Sequence, residues 1–328
     1  MPCFHPRTVW RTPGLLTKNG KPRILFKKPA SAFPVYFEQM LKTCHPSNLR
    51  KLKRELKRYQ SKFPVEEFQI PGCKPKCIGC QEIYSKSWAV RAWHESMRHE
   101  ENCFITLTFN DKFVPRQLEH RIWQLFMKRL RKAISQPVSF FMAGEYGSIN
   151  FRPHFHACIF GFNFPDRVLW SVRDNVRLDV SNMLSKLWSD PDSGESLGFS
   201  SVGDVTFESA AYIARYVAKK VQRTAAQLDG RKPEYSKCSL KRPIGKDWFN
   251  AFKSSVFPDD SVTLQDGSKC KPPRYYDVLL DRETPDLLKL LKDKRKAKAA
   301  ASPDATPARL KEREDVKKAQ VSKLKRSL

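Results

Sequence analysis

The chain has 328 residues, 40% of them hydrophobic, enough to bury a sizeable core as one large domain or two modest ones. Its 61 Lys and Arg against 34 Asp and Glu give a formal charge of +27, a field that ranks nucleic acid ahead of an anionic membrane surface as partner. No apolar run approaches the roughly 20 residues that span a bilayer, the opening residues carry no apolar secretory core, and nine cysteines, an odd number, read as reduced thiols rather than a disulfide framework.

Residues 1–80 are rich in Pro, Lys and Cys and read as loop-dominated, apart from a basic amphipathic helix in "PSNLRKLKRELKRYQ" with Leu49, Leu52 and Leu56 on one face. The loop "PGCKPKCIGCQE" brings Cys73, Cys77 and Cys80 close enough in sequence to bind Zn²⁺. A structural zinc site wants four ligands, and Cys44, His94, His99 and Cys103 are all open as the fourth. "QEIYSKSWAVRAWHESMRHE" follows as a helix with Tyr84, Trp88 and Ala92 on one face, and "NCFITLTFN" as a buried strand ending near Asn110. "PRQLEHRIWQLFMKRLRKAI" predicts an amphipathic helix from Pro115, with Leu118, Ile122, Leu125 and Phe126 facing inward. Lys128, Arg129, Arg131 and Lys132 crowd its end as candidate phosphate contacts.

"VSFFMAGEYG" and "RPHFHACIFGF", separated by turn-forming residues, predict an antiparallel hairpin. A helical patch is expected over 176–188, and "ESAAYIARYVAKKVQ" is a clear helix. Beyond Arg223 the pattern degrades into mixed polar segments, and from about Pro285 a basic tail alternates between frayed helix and disorder. The chain thus divides into a basic N-terminal region with the Cys loop and a helix (1–100), a core (101–225), a further part of that unit (226–284) and the tail (285–328). Gly245 and Lys246 lack the remaining residues of a P-loop, so built-in ATP hydrolysis is not expected.

In a strand, residues at i and i+2 point to the same face, so His154 and His156 both project from one side. Glu145 on the partner strand can complete a set of two imidazoles and one carboxylate, leaving open positions on a divalent ion such as Mg²⁺ or Mn²⁺. A non-haem iron oxygenase site shares these ligand types, but there the carboxylate usually follows one histidine closely, and the basic charge suits a small organic substrate poorly. In "AAYIARYVAKKV", Tyr212 and Tyr216 stand one turn apart on a helix, with Lys220 continuing the row and Ile213, Val217 and Val221 beside it. A phenol attacking a metal-polarised phosphate leaves a covalent phosphotyrosine.

These motifs together resemble the HUH endonucleases, the rolling-circle replication initiators and their relatives: "FITLTFN" (104–110), "PHFH" (153–156) and "YIARYVAKK" (212–220). The cysteine loop, "SLKRPIG" and "PPRYY" narrow the resemblance to initiators of the gokushovirus group of microviruses. That resemblance implies an α+β fold: an HUH core whose central antiparallel sheet has helices on one face, with a cysteine-containing N-terminal region and a basic C-terminal tail added. It implies origin-specific nicking and joining of DNA, with metal at Glu145, His154 and His156, and Tyr212 or Tyr216 as nucleophile. Lys219 and Lys220 would contact phosphate or assist the leaving group. Partners would be single-stranded and double-stranded replicative-form DNA, a host polymerase and a host helicase, in the cytoplasm of a bacterial host. Rival expectations are a non-catalytic single-strand-binding or packaging protein, a zinc-organised regulatory module, and a relaxase or transposase of the same superfamily. Trp88 and Trp93 serve either the core or base stacking.

Overall fold

The computed structural model describes residues 3–16, 22–26, 45, 48, 50–51, 54, 66–70, 73, 77–147, 150–173, 176–219 and 229–323. The expected basic helix over 46–60 falls largely outside them, with Leu49, Leu52 and Leu56, as do Cys44 and Lys220. The chain forms two compact units, Met1–Cys80 with Pro307–Val316, and Gln81–Thr306 with Lys317–Leu328.

In the first unit, β1 (Arg7–Leu16) is flanked by β2 (Pro22–Leu25) and β3 (Glu66–Ile70), both antiparallel to it. The helix α1 (Ile78–Ser96) leaves this unit and runs into the second.

The second unit is built on seven antiparallel strands. In chain order they are β4 (Asn102–Leu107), β5 (Ser139–Tyr146), β6 (Pro153–Phe160), β7 (Arg167–Arg173), β8 (Val176–Ser181), β9 (Ser200–Gly203) and β10 (Tyr235–Cys238). Across the sheet they run β10-β5-β6-β4-β9-β8-β7. Strand alternation sorts the side chains into two buried layers. Cys103, Ile105, Leu107, Met142, Phe155, Ala157 and Ile159 form one, joined by Trp123, Phe126, Met127 and Leu130 of α2 (His120–Ala133). Phe141, Ala143, Cys158 and Phe160 form the other, against Ala89 and Ala92 of α1 and Ala210, Ile213 and Ala214 of α4 (Phe207–Lys219). Helices therefore cover both faces, whereas one was expected: both layers of alternate side chains are apolar, and each needs a cover.

Several expectations shift. α2 starts at His120 rather than Pro115, and its buried stripe is Trp123, Phe126, Met127 and Leu130 at i, i+3, i+4 and i+7, while Leu125 is exposed. The segment expected as a helix over 176–188 is instead β8 followed by a short helix, α3 (Asn182–Leu187), whose N-cap Ser181 accepts from the Leu184 amide. β8 extends because β7 pairs along its length, a tertiary partner that overrides local preference.

Beyond β10 come α5 (Lys246–Val256), a small hairpin of β11 (Val262–Thr263) and β12 (Lys269–Cys270), α6 (Arg274–Glu283), α7 (Pro285–Ala300) and α8 (Pro307–Lys323). Where composition pointed to a frayed tail, α7 is continuous, and its Leu288 and Leu291 are buried with Trp248, Phe249, Tyr276 and Leu280. His94 of α1 belongs here: it stacks on Trp248 with ring centroids 3.4 Å apart, and its Nδ1 lies 2.8 Å from the Tyr276 hydroxyl. It is therefore a core residue and no zinc ligand. His99 pairs with Glu95 and Cys103 is buried in β4, so neither joins the cysteine loop. Trp88 stacks on Phe141 with centroids 5.1 Å apart, and Trp93 packs edge-on against Phe207, so both serve packing here.

Candidate functional site

In the hairpin of β5 and β6, which was expected without a fixed register, Glu145 stands opposite His154, and Ala143 opposite His156. Period-two alternation then puts Glu145, His154 and His156 on the face that α4 covers, continuous with the layer of Phe141, Ala143, Cys158 and Phe160. Gly144, between Ala143 and Glu145, faces the other way. A Cβ there would meet Leu118, Phe155 and the Tyr235 ring at 3.2 Å each. The glycine lets β5 lie flat against that packing.

Glu145 Oε1 lies 3.3 Å from His154 Nε2 and 2.9 Å from His156 Nε2. Ligand atoms of all three residues fall within 4.8 Å of one another. Although Glu145 is buried, Oε1 receives no aligned hydrogen bond. The other ring nitrogens are occupied. His154 Nδ1 donates to the Arg152 carbonyl at 3.1 Å, which leaves Nε2 as the lone-pair nitrogen. His156 Nδ1 is 2.9 Å from Thr106 Oγ1, its neighbour across β4 and β6. Anchored Nδ1 atoms behind converging Nε2 and carboxylate atoms are the arrangement that orients ligands on a divalent cation.

At Glu145 and His156 the electrostatics suit the same use, whereas His154 favours its protonated form and a bound cation would have to displace that proton. Burial raises the Glu145 carboxyl, but His154 and His156 outweigh it and hold the pKa at about 2. For His156, burial prevails and lowers the pKa despite Glu145; for His154, the Glu145 carboxylate overcomes burial and raises it. An ionised carboxylate and a neutral imidazole are the states a cation binds. The residues fit a divalent ion.

α4 supplies the aromatic neighbour. Its start is capped reciprocally, the Ser209 amide donating to Thr206 Oγ1 at 3.1 Å and the Thr206 amide to Ser209 Oγ at 2.8 Å. Ala210, Ile213 and Ala214 seat the helix on the sheet, and Ser85 of α1 donates to the Ala214 carbonyl at 2.9 Å. Tyr212 thereby lies edge-on to His156, with ring centroids 5.0 Å apart. Tyr216 and Lys219 lie in the same helix, their side chains beyond what the structure describes, and Lys220 is outside the described residues.

The basic end of α2 is not brought to this site, because α2 packs on the opposite face of the sheet. Lys128, Arg131 and Lys132 are exposed there, whereas Arg129 donates to the Leu187 carbonyl at 3.0 Å. Two supporting residues escape a reading of the sequence. Thr106 sits in the "FITLTFN" segment, and its role emerges only once β4 is paired with β6. Glu234, buried before β10, accepts from the Tyr146 amide at 3.2 Å and adds its charge to the field at His154; nothing local in "KPEYSK" signals it.

Residues 102–224, from the start of β4 to just beyond α4, match the family described as replication-associated protein ORF2/G2P. The chain is 32% identical over 241 residues to replication-associated protein VP4 of Bdellovibrio phage phiMH2K, covering 70% of this chain and 73% of the relative. It is 30% identical over 240 residues to replication-associated protein ORF2 of Spiroplasma virus 4, covering 67% and 71%. With replication-associated protein ORF4 of Chlamydia phage 1 it shares 29% over 228 residues, covering 66% and 55%. No solved structure matches the chain.

Proposed function

Because the chain belongs to the phage replication-associated proteins, we propose that it initiates rolling-circle replication by nicking one DNA strand at an origin and later rejoining it. The observation that carries this reading is the convergence of Glu145 Oε1, His154 Nε2 and His156 Nε2 beside the Tyr212 ring. Glu145, His154 and His156 would hold Mg²⁺ or Mn²⁺, which supplies Lewis-acid polarisation of the scissile phosphate. Thr106 and the Arg152 carbonyl keep the two imidazoles aimed.

Tyr212, whose ring lies edge-on to His156, would be the first nucleophile. Its phenolic oxygen gives up a proton and bonds to phosphorus as the P–O3′ bond breaks. O3′ leaves as a hydroxyl, and the 5′ phosphate stays on the tyrosine. The phosphodiester energy is conserved in that link, so the reverse attack by a 3′-hydroxyl rejoins DNA without ATP. Tyr216, one turn along α4, would take the second cut when the origin is regenerated, and the freed 3′-hydroxyl would then close a single-stranded circle. The first 3′-hydroxyl would prime a host polymerase, with a host helicase unwinding, in the cytoplasm of a bacterial host. Lys219 and Lys220 follow on the same stretch of chain and would contact the DNA backbone.

The test is a covalent-adduct assay on origin-containing single-stranded phage DNA with Mn²⁺. A DNA-linked band surviving SDS should require metal and vanish in Glu145→Gln, in His154→Ala and in the Tyr212→Phe/Tyr216→Phe double variant. DNA that binds equally well with and without metal and never forms an adduct would favour a non-catalytic single-strand-binding protein instead.

A further inference from the structure

Four thiols meet at one point in the first unit. Cys73, Cys77 and Cys80 arrive from the loop and the first turn of α1, and the fourth is Cys3. The sheet explains its arrival. Antiparallel pairing of β1 with β3 sets Arg7 opposite Ile70, so the chain preceding β1 emerges beside the chain following β3. Residues 3 and 73 are thus spatial neighbours across a 70-residue gap in sequence, and no local spacing rule would have paired them.

We propose that Cys3, Cys73, Cys77 and Cys80 bind one structural Zn²⁺ as a tetrahedral thiolate site. The four sulfurs lie within 4.8 Å of one another, and Cys3 Sγ is 3.9 Å from Cys77 Sγ. A tetrahedron with Zn–S bonds of about 2.3 Å has sulfur–sulfur edges of about 3.8 Å, whereas a disulfide draws its sulfurs to about 2.05 Å. None of the four is in a disulfide. Two backbone amides already point at sulfur, as they do behind metal-bound thiolates: Cys77 N–H to Cys73 Sγ at 2.9 Å and Phe4 N–H to Cys77 Sγ at 3.4 Å. Cys3, Cys73 and Cys77 are buried.

Metal exchange balances simply. Four thiols give up four protons to solvent as Zn²⁺ binds, leaving a site of charge −2 with no redox change. Burial raises the Cys73 thiol to about 11 and raises Cys80 as well, so ionising this cluster at neutral pH needs the cation. The role follows from what surrounds the sulfurs. Phe4 and Leu310 are buried against them, with partly buried Ile78 packed alongside, and Glu314 of α8 pairs with His5 at 2.9 Å. The ion would staple the N-terminal strand, the cysteine loop, the start of α1 and the start of α8, in a unit whose buried apolar cluster is small.

The test uses the full-length protein carrying His154→Ala and His156→Ala, so that the proposed nuclease site contributes no metal. Elemental analysis should find one zinc and no iron per chain. Replacement by Co²⁺ should give the intense visible bands of a tetrahedral ion together with near-ultraviolet thiolate charge transfer. Cys3→Ser should weaken that charge transfer and lower zinc retention under chelator, while Cys270→Ser changes neither. Folded protein without stoichiometric zinc, iron in its place, a Cys3–Cys77 disulfide in the peptide map, or a Cys3→Ser spectrum identical to the parent would each overturn the assignment. Because the parent lacks the histidines, failure here leaves the nicking reading untouched.

Discussion

Thr106 shows how much of the candidate site depends on a residue outside its three converging side chains. Its hydroxyl is the partner of His156 Nδ1, so its removal frees the ring to rotate away from Glu145. Thr106→Val, which keeps the shape and removes the hydroxyl, should weaken Mn²⁺ binding by roughly 10–100-fold, the usual cost of removing such an anchor. Calorimetric titration with Mn²⁺ reads this directly, and an unchanged affinity would show that packing alone aims the ring. His94 makes the opposite point, since it looks like a ligand in sequence and is a core residue in space. Burial pushes it down to about 3, against roughly 6.5 for an unfolded histidine. Between those values the unfolded chain holds the extra proton. His94's contribution is therefore complete above about pH 6.5 and falls by about 1.4 kcal/mol per pH unit below it, until the folded pKa is reached. Denaturant midpoints measured from pH 7 to pH 4 should fall less steeply for His94→Gln than for the parent.

At the scale of elements, the hairpin of β5 and β6 is the most legible feature. Strand alternation and a short turn leave few registers open, and only one face of "PHFH" carries polar residues. Gly144 protects that register from behind. Gly144→Ala must displace Leu118, Phe155 or Tyr235 and should cost about 1–3 kcal/mol, measured by urea denaturation. Nicking should fall further than stability, because β5 carries Glu145. Capping of α4 is a milder case: Thr206→Ala should cost about 1 kcal/mol, because the Ser209 amide is left without its acceptor. Elements whose existence depends on a remote partner are illegible. β8 looks helical because "VRLDVS" says little without β7, and β10 escapes because Tyr235–Cys238 extends only against β5. Cys3 is hidden for the same reason, its neighbourhood being decided by the pairing of β1 with β3.

For the whole molecule, the charge of +27 is visible at once, but its distribution is not. In sequence the basic end of α2 reads as part of the DNA surface, yet the seven-stranded sheet lies between it and the cluster of Glu145, His154 and His156. Lys128 and Lys132 are exposed, while Arg129 is engaged with the Leu187 carbonyl. If the lysines neutralise flanking DNA, Lys128→Ala with Lys132→Ala should lower the slope of log K against log salt. The change on single strands should be about 0.7 for each phosphate no longer neutralised, without altering cleavage of saturating substrate. Arg129→Ala should instead destabilise the fold. Filter binding across a salt series separates the two.

The central claim is that a tyrosine of α4 takes the phosphate beside Glu145, His154 and His156, and it can be read at the atom concerned. Arg215 lies between Tyr212 and Tyr216, so trypsin puts the two tyrosines on separate peptides. Mass spectrometry of the protein after reaction with origin DNA and nuclease trimming should find a nucleotide phosphate on the peptide ending in Arg215, through Tyr212, with the Tyr216 peptide modified when Tyr212→Phe is used. Cleaved DNA with both peptides unmodified, or the phosphate on a residue outside α4, would contradict it.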